Sequence, residues 1–126
     1  MATGTGIEAS VIGEPPVVAL SGVGRIPPEK VSQAEFLIHT LIEHGRRRFV
    51  IDFSGMEYVS SEGVGIAVHY HMVLSACGGK LVVVKGPPSV MERIGRFIIP
   101  VLRVVDTRAE ALALFGVDER SAARAK

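Results

Sequence analysis

Two adjacent serines, Ser60 and Ser61, follow an apolar strand pattern and a short loop, and an apolar helix pattern begins at them. A hydroxyl at a helix N-terminus lies beside free backbone N–H groups and the positive end of the helix dipole, so a phosphate can be accommodated there. The stretch from Val50 to Gly65 therefore favours a surface that is switched by phosphorylation over a catalytic centre.

Other chemistry for these residues is less well supported by the sequence. A serine nucleophile needs a general base, and the four histidines include no evident triad partner. His69 and His71 are separated by two positions on a predicted helix, so they point apart and are not expected to share a metal ion. Gly63 and Gly65 lack the third glycine of a dinucleotide-binding turn. We therefore expect no enzyme activity, no cofactor and no metal site.

Composition narrows the class of protein further. The chain has 126 residues, 48% of them hydrophobic, which is enough for one domain with a real core. A formal net charge of +1 provides no broad cationic surface, so we expect neither direct nucleic-acid binding nor membrane attachment. The single cysteine, Cys77, excludes an intramolecular disulfide and is expected to be a small buried hydrophobe. Without a signal-peptide pattern or a run of about 18 apolar residues, a soluble cytoplasmic protein is expected.

Alternating strand and helix patterns position the two serines. We predict strands over residues 7–12, 17–20, 49–53, 81–84 and 102–105, with a glycine-containing turn at 21–24. We predict helices over residues 27–44 and 61–77, a short one opened by residues 87–89 that carries Val90, Ile94 and Phe97, and a last one begun by a capping box of Thr107 and Glu110. Residues 46–48, three arginines, are expected to form a solvated loop, with an anionic-ligand patch as the alternative.

The helix that follows the serines divides into ridges. Two apolar ridges are predicted to pack inward: Val64, Ala67, Val68, His71 and Leu74 on one, and Ile66, Tyr70, Val73 and Cys77 on the other. The third ridge is flat and low in charge, and it consists of Glu62, Gly65, His69, Met72 and Ala76. Such a ridge beside an exposed serine fits a docking surface for a partner about as well as an ordinary exposed helix face.

These patterns together define the expected architecture. Strand, helix and strand in succession imply right-handed parallel crossovers, and near-continuous apolar strands are typical of a sheet covered by helices. We predict a single α/β domain over residues 15–116, with a mixed, largely parallel sheet of four to five strands and four helices. Residues 1–14 are expected to be a flexible N-terminus with a possible edge strand, and residues 117–126 a flexible tail.

The stretch from Asp52 to Ile66, D-F-S-G-M-E-Y-V-S-S-E-G-V-G-I, resembles the signature of STAS domains, and particularly that of bacterial anti-sigma factor antagonists. The resemblance also includes L-S-G at residues 20–22, G-G-K-L-V-V-V at 78–84 and E-A-L at 110–112, so that it spans about residues 15–116. It implies a STAS fold and a regulatory binding protein that has no active site.

The resemblance also implies partners. In this family the unphosphorylated antagonist captures an anti-sigma factor, usually also a serine kinase with a histidine-kinase-like ATPase fold, and so frees a sigma factor. Phosphorylation of one serine breaks the complex, and a metal-dependent serine phosphatase restores it. The alternative within the family is a STAS scaffold or accessory subunit that is never phosphorylated and works in a larger signalling or transport assembly.

Carried onto this chain, the phosphoacceptor falls on Ser61, with Ser60 as the second candidate. The residues expected to contact the partner are Ser60, Glu62, Gly65, His69, Met72, Gly24 and Arg25. This sequence departs from the family pattern at Ser60, where an aspartate is common, and at Glu62, where a small residue is usual. It also lacks the acidic residues that usually follow the glycine of residues 22–25, so partner choice is expected to differ.

Overall fold

The computed structural model describes residues 6–95 and 102–117 of the chain. In order, the elements are β1 Gly6–Ile12, β2 Val17–Arg25, α1 Pro28–Glu43, β3 Arg48–Asp52, β4 Met56–Tyr58, α2 Ser61–Ala76, β5 Lys80–Val84, α3 Pro88–Gly95, β6 Arg103–Val105 and α4 Arg108–Leu114. The predicted α/β class and mixed, largely parallel sheet with four helices are confirmed. The structure adds β4, a three-residue strand that the sequence patterns do not indicate.

The sheet has the order β1-β2-β3-β5-β6, with β4 beside the end of β2. β1 runs antiparallel to β2, and every other pairing is parallel. The crossovers from β2 to β3, β3 to β5 and β5 to β6 all step in the same direction across the sheet. Because such crossovers are right-handed, α1, α2 and α3 lie on one face of the sheet.

Two hydrophobic clusters confirm this arrangement, because alternate strand residues belong to opposite clusters. The larger cluster includes Val18, Leu20, Phe49, Ile51, Leu81 and Val83 of the strands together with Val31, Ile38, Val64, Ala67, Leu74 and Val90 of the three helices. The smaller cluster comprises Val17, Ala19, Val50, Val82 and Val84 with Ala111, Leu112 and Val117, so α4 covers the other face. Both faces of the central strands are therefore buried, as their continuous apolar sequences predict.

The turn predicted over residues 21–24 is wrong, because β2 continues to Arg25. Two partners hold this extension: β1 pairs with it as far as Val23, and β4 pairs with Gly24 and Arg25. The glycines serve close packing within the strand. A Cβ at Gly22 would come within 2.8 Å of the Met56 methyl group, and Gly24 takes a φ of 76° where the register shifts.

The start and end of α1 follow the sequence signals. Pro28 is its first residue, and Gly45 beyond its end has a φ of 94°. The expectation of a solvated loop over residues 46–48 is wrong, because all three arginines are half-buried and Arg48 begins β3. Of the three, Arg47 bonds to the end of α1. Its guanidinium donates a hydrogen bond of 2.8 Å to the carbonyl oxygen of Ile42, so a cation stabilises the last carbonyl groups of α1.

The capping box of α4 is confirmed. The Thr107 hydroxyl accepts a hydrogen bond of 3.1 Å from the Glu110 N–H, and the Glu110 carboxylate accepts one of 3.0 Å from the Thr107 N–H. α3 begins at Pro88 and buries Val90, whereas Phe97 and residues 118–126 lie outside the described residues. Within the described ranges, the helices are too short or too polar to cross a membrane.

Candidate functional site

The two serines occupy different positions at the start of α2. Ser60 is the N-cap residue, with an extended backbone, and its hydroxyl accepts a hydrogen bond of 3.2 Å from the Gly63 N–H. Ser61 is the first residue of the helix and is exposed to solvent. The hydroxyl of Ser60 is thus used by the fold, whereas that of Ser61 is presented on the surface beside the N-terminal N–H groups of the helix.

The segment before the serines is held by its own short-range contacts. Asp52 ends β3 in a buried position, and its carboxylate accepts a hydrogen bond of 2.9 Å from the Ser54 N–H, which turns the chain toward β4. Val59 is buried just before the N-cap, and Val64 is buried one turn into α2, the two positions of a hydrophobic staple. These contacts fix the angle at which α2 leaves the loop.

Solvent exposure divides α2 along the predicted ridges. Val64, Ala67, Tyr70 and Leu74 are buried, while His71 is half-buried at the boundary. The third ridge, which we call the α2 ridge, is exposed at all five of its positions, Glu62, Gly65, His69, Met72 and Ala76. The prediction that Cys77 is buried is wrong, because the helix ends at Ala76 and Cys77 is an exposed C-cap residue outside the helical register.

Gly24 and Arg25 lie close to the same loop through β4. The Gly24 N–H donates a hydrogen bond of 2.9 Å to the Gly55 carbonyl, and Gly24 itself is buried. The exposed Arg25 places its guanidinium 4.7 Å from the centre of the Tyr58 ring, a cation–π contact. Tyr58 is two residues before Ser60, so the structure brings Arg25 to the same end of the sheet as the serines.

A groove of about 290 Å³ lies between α1 and α2. Its lining residues are Val31, Ser32 and Glu35 of α1 and Glu62, Gly65, Ile66 and His69 of α2. The carboxylate of Glu35 also acts on the neighbouring helix: the pKa of Tyr70 is raised, first by burial and second by the negative charge of Glu35. The α2 ridge is therefore one wall of a groove whose other wall carries a second carboxylate.

Comparisons by sequence give no match to any family model and none to a curated protein. Solved structures do match. The anti-sigma factor antagonist SpoIIAA in its unphosphorylated form superposes with a TM-score of 0.76 at 17% identity, over 88% of this chain and 97% of that one. A candidate anti-sigma factor antagonist from Thermotoga maritima also gives 0.76 at 17% identity, over 86% and 92%. The chain has the fold of the anti-sigma factor antagonists.

A third structure with this antagonist fold is a serine-to-glutamate variant of RsbS from Moorella thermoacetica. It has a TM-score of 0.69 and 14% identity, and the match covers 93% of this chain and 98% of that one. In all three structures the match covers nearly the whole of both chains, so the likeness extends over most of the fold. At such low identity the likeness concerns the fold, and the surface chemistry depends on the residues of this chain.

One contributor to the site, Glu35, is absent from the sequence-based set of site residues. Its position on α1 gives no local signal, because an exposed glutamate in a helix is ordinary. The signal lies in the topology of the antagonist fold: consecutive crossovers in one direction make α1 and α2 neighbours, so exposed residues of α1 adjoin the α2 ridge. Within residues 6–95 and 102–117, no group of three or more His, Cys, Asp or Glu side chains could hold a metal ion.

The two glycines of α2 are expected to respond oppositely to alanine. A Cβ at Gly65 would meet nothing within 4 Å, so Gly65→Ala should stabilise the protein by about 0.5–1 kcal/mol through helix propensity. A Cβ at Gly63 would lie 2.7 Å from a methyl group of Val59, so Gly63→Ala should destabilise it by roughly 1–3 kcal/mol through overpacking. Urea unfolding of both variants measures this, and equal stabilisation by both would show that Val59 moves aside freely.

Proposed function

We propose that this protein is an anti-sigma factor antagonist. Unphosphorylated, it binds an anti-sigma factor that is also a serine kinase with a histidine-kinase-like ATPase fold, and it thereby frees a sigma factor. Phosphorylation of Ser61 releases it, and a serine phosphatase restores binding. The protein has no catalytic role of its own and acts in the cytoplasm.

This proposal rests on the different structural roles of the two serines. Ser60 caps α2 through its hydroxyl, while Ser61 is exposed one residue later. A phosphate on Ser61 would lie at the positive end of the helix dipole, where the fold tolerates negative charge. Modification at Ser61 would therefore change the surface while leaving the N-cap hydrogen bond of Ser60 intact.

Release follows from electrostatics at an interface. A phosphate adds about −1.5 to −2 charges, and these lose their hydration when a partner covers the start of α2. Glu62 already places a carboxylate beside the acceptor, so the modified site would combine several negative charges within one helical turn. Unless the partner supplies matching cations at that point, the desolvation costs several kcal/mol and the complex dissociates.

The α2 ridge supports the binding half of the proposal. Its Met72 side chain is 61% exposed, and Gly65 leaves the helix surface flat. Exposed apolar side chains on a flat face are typical of surfaces that a protein partner covers. Arg25, at the same end of the sheet, would extend the contact beyond α2.

The test is capture of the partner under two conditions. Tagged protein is incubated with an extract of the source organism, with or without ATP and Mg²⁺, and bound proteins and phosphosites are identified by mass spectrometry. We expect an anti-sigma factor kinase without ATP, and loss of that protein together with phosphorylation of Ser61 when ATP is added. Capture of transport or scaffold subunits without any phosphorylation would favour the scaffold function instead.

A further inference from the structure

We propose that the groove between α1 and α2 receives an arginine side chain of the partner. Apolar side chains of the same partner segment would cover Phe36 and Met72 on either side. This inference rests on the proposed function for the identity of the partner, and it assigns the chemistry by which that partner is recognised. The carboxylates of Glu35 and Glu62 supply the attraction.

The charge of the groove is uncompensated. The ion pairs among the described residues join His39 to Glu43 and Lys85 to Asp106, and neither involves Glu35 or Glu62. Glu62 in the first turn of α2 is stabilised by the helix dipole. Glu35 lies in the middle of α1, where the helix dipole gives its charge no such stabilisation. Two carboxylates from different helices therefore line one groove together with the His69 imidazole, and neither carboxylate is in an ion pair among the described residues.

The walls of the groove continue into exposed apolar side chains. Phe36 is 72% exposed and Met72 is 61% exposed, and they are the most exposed large hydrophobic residues in the described ranges. Phe36 follows Ser32 by one helical turn, and Met72 follows His69 by three residues, so each is a surface neighbour of a residue that lines the groove. The occupant must satisfy both the acidic groove and these apolar neighbours.

Arginine fits these conditions better than lysine. A guanidinium donates hydrogen bonds from several positions on one plane, so it can bond carboxylates on both walls at once. Its plane also stacks on rings and apolar surface such as those of His69 and Phe36, and it loses less hydration than an ammonium group. Gly65 has no side chain and the space beside it is open, since a Cβ there would meet nothing within 4 Å. The α2 wall of the groove therefore leaves room for a planar guanidinium.

The groove is distinct in position from the proposed phosphate. Ser61 is not among the lining residues, although Glu62 next to it is. The arginine would therefore contribute to affinity in the unphosphorylated complex, while the phosphate acts on the part of the interface over Ser61. Because exposed charges are screened within about 8–10 Å at physiological ionic strength, this contribution should fall as salt is added.

A small probe tests the groove without the partner. N-butylguanidinium chloride is titrated into the ¹⁵N-labelled protein at low salt, and amide shifts are followed by NMR. We expect saturable shifts at Gly65, Ile66 and His69. Glu35→Gln should weaken the apparent affinity roughly two- to fivefold, the range of an exposed ion pair. The control Glu43→Gln, which removes the same charge two turns further along α1, should leave that affinity unchanged.

Other outcomes would overturn the inference. Shifts scattered over the surface, or an equal effect of both substitutions, would show general attraction to negative charge. Equal affinity for N-butylammonium would overturn the assignment to arginine. If the probe binds the groove but no anti-sigma factor is captured, the proposed function fails and the cation site stands. If the partner is captured and its affinity is unchanged by Glu35→Gln, the groove is not part of the interface.

Discussion

Ser61→Ala should not be phosphorylated by the cognate kinase, whereas the wild type and Ser60→Ala should be. The reason is local: the Ser60 hydroxyl is engaged in the N-cap hydrogen bond, and Ser61 is exposed at the first position of α2. Ser60→Ala should instead lower the free energy of unfolding by about 1 kcal/mol, because an N-cap is lost. Incorporation of labelled phosphate and chemical denaturation measure the two effects separately.

The control is Ser75→Ala, which removes an exposed hydroxyl from the last turn of the same helix. It should be phosphorylated as fully as the wild type. If Ser61→Ala is also phosphorylated fully and Ser60→Ala is not, the acceptor is Ser60. If no variant and no wild-type protein accepts phosphate from any co-purifying kinase, the unphosphorylated scaffold becomes the better function.

Substitutions of Ser61 should also change the affinity for the partner. Ser61→Ala should bind the anti-sigma partner whether or not ATP is present, since alanine has no hydroxyl to accept the phosphate that disrupts the interface. Ser61→Asp should bind more weakly than the wild type, but less weakly than the phosphoprotein. A carboxylate carries one negative charge and two oxygens, compared with about −1.5 to −2 charges and three oxygens on a phosphate.

Much of the fold could be predicted because its signals are local. The continuous apolar runs of β3 and β5, the prolines at the start of α1 and the capping box at Thr107 each depend on a few neighbouring residues. The extension of β2 depends instead on distant chain segments. Residues 21–24 are predicted to form a turn because of their glycines, yet pairing with β1 and β4 keeps the chain extended to Arg25. A three-residue strand such as β4 is too short to show the alternation of apolar and polar residues by which a strand is predicted from sequence.

The features of the site that lie within one helix could be predicted from the sequence, and those that depend on a second helix could not. The exposed ridge of α2 follows from helical periodicity, because the buried positions of one helix determine its exposed positions. Cys77 was misjudged since periodicity holds only while the helix continues, and α2 ends one residue earlier. Glu35 belongs to another helix, and its proximity to the α2 ridge depends on the direction of the crossovers.

Met72→Lys should weaken binding of the anti-sigma partner by about 2 kcal/mol, or roughly thirtyfold, while leaving the fold nearly unchanged. Met72 is 61% exposed, so the substitution should change the free energy of unfolding by less than about 0.5 kcal/mol. In the complex, the ammonium group would be buried against apolar surface, and it would also repel an arginine held in the neighbouring groove. Calorimetric titration with purified partner and thermal unfolding measure the two quantities.

The matched control is Leu114→Lys, which introduces the same charge at a partly exposed apolar residue of α4, on the opposite face of the sheet. Its partner affinity should equal that of the wild type, because the sheet separates α4 from the α2 ridge. Equal weakening by both substitutions would show that net charge, rather than position, governs binding. A normal melting temperature with unchanged affinity in Met72→Lys would remove the α2 ridge from the interface. The contact would then have to lie at the end of the sheet where Arg25 of β2 and Ser61 at the start of α2 are exposed.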